Sequence, residues 1–187
     1  VSMAIRTYTR RVRNEMAKIA VLGYGTVGSG VVEVLATNSE SITKRAGDVV
    51  EVKSVLDLRD FPGDPIQDKI VHDIDVIIND PEIDVVVEVM GGVEPAFTFV
   101  KKALEAGKSV CTSNKALVAA HGSELLAMAK ERKLNFMFEA SVGGGIPIIR
   151  PLKQSMAGNK INEIMGIVNG TTNYILTKMT ELGMSYE

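Results

Sequence analysis

The sequence predicts an α/β protein built on a doubly wound, mostly parallel sheet and followed by the beginning of a second, α+β unit. Three observations predict it. From Lys18 onward, short apolar runs alternate with longer segments of helical periodicity, the pattern of successive strand-helix crossovers. A glycine-rich turn, Gly23-Tyr24-Gly25-Thr26-Val27-Gly28, lies between the first strand and the first helix. Three consecutive glycines at 143 to 145, with Pro147 just after them, break the pattern near residue 146.

The elements follow in order. KIAVLG from Lys18 reads as a buried strand, and Thr26 to about Lys44 as a helix with Val27, Val31, Val34 and Leu35 on one face. VVEVKSVLD is the second strand, and Leu58 to Pro65, with two prolines and a glycine, is a turn-rich loop. DVVVEVMGG reads as a strand ending in a flexible glycine pair, and Glu94 to Ala106 as a helix closed by Gly107. SVCTSNK is a strand running into a polar loop, a helix follows from about His121 to Lys133, and NFMFEA is the last strand of the unit. SVGGGIPIIRPL then reads as a hinge, Ile161 to Val168 as a strand and Thr171 to Leu182 as a helix. The expected division is an extension at 1–15, a first domain carrying the glycine turn at 16–146, and an incomplete second domain at 147–187.

Composition bounds the function. With 187 residues, 45% hydrophobic and 24% charged, the chain can bury a core and is not a disordered polymer. A net charge of -2 gives no global attraction to nucleic acid or to anionic membranes. No apolar run approaches the roughly 18 residues that a membrane span needs. The single cysteine, Cys111, sits in an apolar strand pattern and has no partner for an internal disulfide, so a reducing, cytoplasmic compartment is expected. The first fifteen residues hold four arginines against Glu15 alone; they read as an organelle transit segment, or as sequence upstream of a start at Met16. His72 and His121 lack the neighbours of a zinc site.

The glycine turn matches G-x-G-x-x-G between a strand and a helix. The first glycine makes the tight turn, the second lets a pyrophosphate approach the backbone, and the third lets helix and strand pack closely. The free N–H groups at the helix start then hold the anion. Residues 23 to 28 are therefore expected to bind a dinucleotide, although glycines needed only for packing would give the same pattern. Choice between NAD and NADP falls to the end of the second strand, where an acid accepts the ribose hydroxyls of NAD and a basic residue accommodates the NADP phosphate. Here the residues are Asp57-Leu58-Arg59, with Asp57 lying 29 positions past Gly28. Asp57 favours NAD, Arg59 admits NADP, and solvated loop charge is the alternative for either. Gly91 and Ser113, where two later strands run out, are candidates for the same cofactor site.

Three later segments sharpen this reading. They are SNKALVA from Ser113, FEASVGGGIPII from Phe138 and GIVNGTTNYILTKM from Gly166. With the glycine turn, they make the chain resemble the homoserine dehydrogenases from Lys18 onward. The resemblance implies NAD- or NADP-dependent interconversion of homoserine and aspartate 4-semialdehyde, on the route to threonine, methionine and isoleucine. It makes Lys115 the catalytic lysine that faces nucleotide and substrate. Independently, Lys115 follows a strand at the carboxyl edge of the sheet, where ligands bind and where it can donate to the substrate's reacting oxygen; a helix-capping surface lysine is the plainer alternative. The resemblance also places a sodium or similar ion on the backbone of Glu139, Val142, Gly144 and Ile146, against the alternative of a simple flexible hinge. It sets Gly170 and Thr171 over the substrate, against the alternative that Thr171 only caps a helix.

The family pattern continues into an acid-rich substrate loop and a second lysine that these 187 residues do not contain. A polypeptide of this length is expected to bind nucleotide and to turn over homoserine poorly. A non-catalytic or regulatory NAD(P)-binding module is the alternative, and a dehydrogenase acting on another semialdehyde or hydroxy acid is a further one that the NGTTNY segment disfavours. The family's pairing through its second domain implies a homodimer or higher homo-oligomer.

Overall fold

The computed structural model describes residues 17–167 and 169–186; the expected extension at 1–15 and the candidate start at Met16 lie outside them. Six strands form one sheet: β1 (Ala17–Leu22), β2 (Val50–Leu56), β3 (Ile70–Val71), β4 (Ile83–Glu88), β5 (Ser109–Thr112) and β6 (Phe136–Met137). Their order is β3-β2-β1-β4-β5-β6 and every pairing is parallel. The chain thus winds outward from β1 on one side and, after crossing, outward from β4 on the other. The reversal between β1 and β4 opens a crevice at the carboxyl ends of the strands, which is where open sheets of this kind bind ligands.

Both faces of the sheet are covered, which is why its strands read as continuous apolar runs. Ile19 and Val21 point to one face and pack with Val52, Val55 and Ile66 against Val31, Val32 and Leu35 of α1 (Thr26–Thr37). Ala20 and Leu22 point to the other face. There they join Val86 and Val110 under α3 (Ile74–Ile78), α4 (Ala96–Glu105) and α5 (Lys115–Glu131), which contribute Ile77, Val100, Leu104, Leu117 and Leu125.

Several sequence expectations are corrected. The first long helix is two: α1 stops at Thr37 and α2 runs over Ser39–Ala46. Asn38 lies between them, and the Thr37 hydroxyl donates to the Glu33 carbonyl at 2.8 Å, the kind of side-chain competition that weakens a helix at Ser, Thr and Asn. Val27 and Val34 are about half exposed, because close contact at Gly28 turns the buried face of α1 toward Gly28, Val31, Val32 and Leu35. Helix α5 begins at Lys115, six residues before the expected start, because the Asn114 side chain accepts the Leu117 N–H at 3.0 Å and caps it. The end of α4 is as expected: Gly107, at φ +82° just past the cap residue Ala106, closes the helix. The Gly107 N–H donates to Leu104 O and the Lys108 N–H to Ala103 O, the paired bonds of a Schellman ending.

Beyond the sheet, part of the expected hinge forms a short helix, α6 (Ile149–Ser155), and α7 covers Gly170–Leu182. The strand expected over 161–168 is absent across its described part, 161–167. Strand pairing is non-local, and those residues have no neighbouring strand to pair with among the described residues. None of the described residues from 147 onward belongs to either core cluster.

Candidate functional site

The glycine turn sits at the crevice. Gly23 has φ +99° and its N–H donates to Leu56 O at 2.8 Å, so the turn is tied to the end of β2. Gly28 is buried, and a Cβ there would stand 1.9 Å from the Gly23 carbonyl oxygen; only glycine lets α1 pack this closely. Gly25 differs, because a Cβ on it would meet nothing within 4 Å among the described residues. It opens α1 with no side chain capping the helix, so first-turn N–H groups beside exposed Thr26 and Val27 remain available to an anion.

Asp57 and Arg59 are brought together at the adjoining rim. One Asp57 carboxylate oxygen accepts the Tyr24 N–H at 2.8 Å and an Arg59 Nη2 bond at 3.1 Å; the other accepts the Arg59 backbone N–H and Nε, each at 3.0 Å. The Arg59 guanidinium, followed by these backbone donors, overcomes partial desolvation and holds the Asp57 carboxyl well below the usual carboxylate range. The Asp57 side chain is 10% exposed and that of Arg59 62%, so the acid is consumed as a support while the cation faces solvent. Arg59 also donates to Tyr24 O at 3.2 Å and lies 5.0 Å from the Phe61 ring centroid, and the Tyr24 ring meets Phe61 edge-on at 4.8 Å.

Next to this pair is an apolar cavity of about 400 Å³ lined by Leu56, Leu58, Met90, Pro95 and Phe99, a size and character suited to a flat heterocycle. His72 stands at its edge. Its Nδ1 lies 2.7 Å from Asp57 O and its Nε2 3.2 Å from an Asp60 carboxylate oxygen. Both ring nitrogens face acceptors, and the Asp57 carbonyl, then Asp60, raise its pKa above the ordinary histidine value. Sequence reasoning said of His72 only that it lacks the neighbours of a zinc site; the fold brings it to this rim.

The other half of the crevice is organised around Glu88, which sequence reasoning also missed. It ends β4 with no solvent exposure. Its carboxyl accepts the Met90 N–H at 2.8 Å, the Thr112 hydroxyl, and the Asn114 side-chain amide at 3.4 Å. Burial is the main influence on this acid and, against those three donors, raises its pKa. Asn114 Nδ2 also donates to Gly92 O at 2.6 Å, and the Ser113 N–H donates to Glu88 O at 3.2 Å. Gly91, Ser113 and Lys115 therefore flank one network, with Lys115 exposed as the first residue of α5. The signal available in the sequence was an acid ending a valine run.

At the hinge, Gly143 and Gly144 take φ +77° and +59°, and the Glu139 carbonyl accepts the Val142 N–H at 3.2 Å. The Glu139 carboxylate accepts the N–H groups of Ile148, Ile149 and Arg150 at the start of α6. Val142, Gly144 and Ile146 are exposed in this stretch. Gly170 and Thr171 form the exposed first turn of α7, which is capped by Asn169 accepting the Thr172 N–H at 2.9 Å; the capping group is not Thr171.

Comparison with known proteins agrees with this geometry. The family model described as "Homoserine dehydrogenase, NAD binding domain" matches residues 23–139, and that described as "Homoserine dehydrogenase" matches 147–187. The chain is 45% identical over 170 residues to the homoserine dehydrogenase of Pseudomonas aeruginosa, covering 90% of this chain and 39% of that protein. It is also 45% identical over 177 residues to that of Bacillus subtilis, covering 91% and 40%. Among solved structures, a homoserine dehydrogenase from Thiobacillus denitrificans superposes with a TM-score of 0.85 at 40% identity, covering 91% of this chain and 40% of that one. A hyperthermophilic archaeal homoserine dehydrogenase mutant in complex with NADPH superposes with a TM-score of 0.77 at 31% identity, covering 91% and 58%. The chain thus spans about 40% of the length of the curated relatives it matches. Its glycine turn, the sheet that carries it and both family models agree: the chain belongs to the homoserine dehydrogenase family.

Proposed function

We propose that the chain is the nucleotide-binding part of an enzyme that interconverts L-homoserine and L-aspartate 4-semialdehyde in threonine, methionine and isoleucine biosynthesis, with NADP preferred over NAD. The observation that carries the cofactor preference is the Asp57-Arg59 pair. Both Asp57 oxygens already accept bonds from Tyr24 and Arg59, so the acid is poorly placed to receive ribose hydroxyls. The exposed guanidinium is the natural partner of a ribose phosphate.

The bound nicotinamide would supply or accept the hydride. The chain's own residues do the rest. Gly23, Gly25 and Gly28, with Tyr24, Thr26 and Val27, present backbone N–H groups to the pyrophosphate. Gly91 and Ser113 border the nicotinamide half. Lys115 donates a hydrogen bond to the substrate's reacting oxygen, supported by its exposed place at the carboxyl edge of the sheet, and Gly170 and Thr171 contact substrate. The backbone oxygens of Glu139, Val142, Gly144 and Ile146 are donors of the type a sodium ion takes, and the left-handed Gly143 and Gly144 give the sharp turn that gathering them requires. The reading includes a homo-oligomer, supported by the exposed apolar side chains of Ile164, Met165, Ile167 and Tyr174, and a reducing, cytoplasmic setting, supported by the lone thiol of Cys111.

The test is a titration of the 187-residue polypeptide and its Arg59→Ala variant with NADPH and NADH. The wild-type chain is expected to bind NADPH at least about tenfold more tightly, and the variant to lose most of that difference, as removal of a charge-assisted bond requires. Equal affinities in the wild type would overturn the preference. With homoserine and NADP⁺ the same polypeptide is expected to show binding without turnover, and normal oxidation would contradict the assignment of the remaining substrate groups to the longer protein.

A further inference from the structure

Glu88 is an acid in the middle of a parallel sheet, paired in register with Leu22 on one side and Thr112 on the other. A fully buried carboxyl is costly unless it is neutralised or fully hydrogen-bonded. No cation meets it. Every partner is a donor from one of two segments: Met90, just after β4, and Thr112 and Asn114, at the junction of β5 and α5. The network closes on itself, because Thr112 Oγ1 accepts the Asn114 N–H at 2.9 Å while Asn114 holds both Gly92 O and the first turn of α5. The rest of the β4 interior is valine and isoleucine, so packing alone gives no reason for an acid here. Together with the Asn114–Gly92 bond, the acid locks two loops to each other at the carboxyl edge of β4 and β5: Met90 reaches the cavity beside the Asp57-Arg59 rim, and the start of α5 lies outside the residues that line it.

We infer that Glu88 is a positioning residue for the nicotinamide half of the cofactor: its carboxyl group fixes the Met90–Gly92 turn and the Ser113–Lys115 start of α5 in one geometry. The inference rests on the cofactor reading above and adds a residue to it. Because dinucleotides bind with one half on each side of the switch point, freeing Thr112 and Asn114 from the acid weakens contacts made by the start of α5 at the nicotinamide end, while the adenosine end keeps Gly23–Gly28 and Arg59. Thr112→Val leaves the Met90 N–H bond to Glu88, on the Arg59 side, in place.

The experiment compares two ligands, NADPH and 2′-phospho-ADP-ribose, which lacks the nicotinamide, on the 187-residue chain carrying Glu88→Ala, Glu88→Gln or Thr112→Val. NADPH fluorescence is read without protein background because the chain has no tryptophan, and calorimetry reads both ligands. Glu88→Ala and Thr112→Val are expected to weaken NADPH about tenfold or more, the scale of lost bonds in a buried network, and 2′-phospho-ADP-ribose less than about threefold. Glu88→Gln, which keeps an acceptor for Met90 and a polar group toward Thr112, restores NADPH affinity to within about threefold of wild type. If Glu88→Ala fails to fold, Thr112→Val carries the test, since it removes one hydroxyl at nearly constant shape. Equal weakening of both ligands, or unchanged NADPH affinity in every variant, overturns the inference. A wild-type chain that binds neither ligand overturns the cofactor reading itself and the inference with it.

Discussion

Two glycines three positions apart perform different physical tasks, and their variants should separate folding from binding. A Cβ on Gly28 would enter the Gly23 carbonyl, which is backbone and cannot rotate away. Gly28→Ala should therefore cost at least the roughly 1–3 kcal/mol typical of overpacking and lower the melting temperature by several degrees. A Cβ on Gly25 meets no atom of the described residues within 4 Å and, with the phosphates bound at this turn as proposed, would stand in their path. Gly25→Ala should leave the melting temperature within a few degrees of wild type while weakening NADPH about tenfold or more. Thermal denaturation and NADPH titration of both variants check this, and a Gly25→Ala chain that binds normally would place the phosphates elsewhere. The residue scale is also where sequence reading reached least far. The roles of Gly23 and Gly28 were legible because spacing dictates them. His72 and Glu88 were not, because their partners lie 15 and 24 positions away or arrive through loops.

At the scale of elements, the strands were legible because burial on both faces writes them as unbroken apolar runs, and β1, β2, β4 and β5 fall where those runs predict. Helix starts were less legible. Residues Ser113 to Lys115 look like loop when read for polarity, yet Asn114 is a cap and the helix begins at once. The expected strand over 161–168 shows the converse: periodicity gives an apolar run, but a strand needs a partner supplied from elsewhere. Cap and core can be weighed against each other within the same helical layer. Asn114→Ala removes the α5 cap and a bond to Gly92 O, so a loss of about 1–2 kcal/mol is expected. Leu104→Ala, at a fully buried site on α4, should lose about 2–5 kcal/mol. Urea denaturation of the two variants gives the comparison, and a smaller loss for Leu104→Ala than for Asn114→Ala would show that this layer is not the main core.

For the whole molecule, the order β3-β2-β1-β4-β5-β6 determines where chemistry can occur. It places the glycine turn, the Asp57-Arg59 rim and the Glu88 network along one edge, although they come from widely separated stretches of sequence. The described residues from 147 onward contribute to neither core cluster, so the nucleotide-binding function should reside in residues 17–146 and be present without the remainder of the relatives' length. The most direct measurement is a calorimetric titration of the 187-residue polypeptide with NADPH. One NADPH bound per chain is the predicted result, with a melting temperature that rises as ligand is added, by about 2.7 kcal/mol of stabilisation at a hundredfold excess over Kd. No heat of binding and no change in melting temperature would contradict the account at its centre.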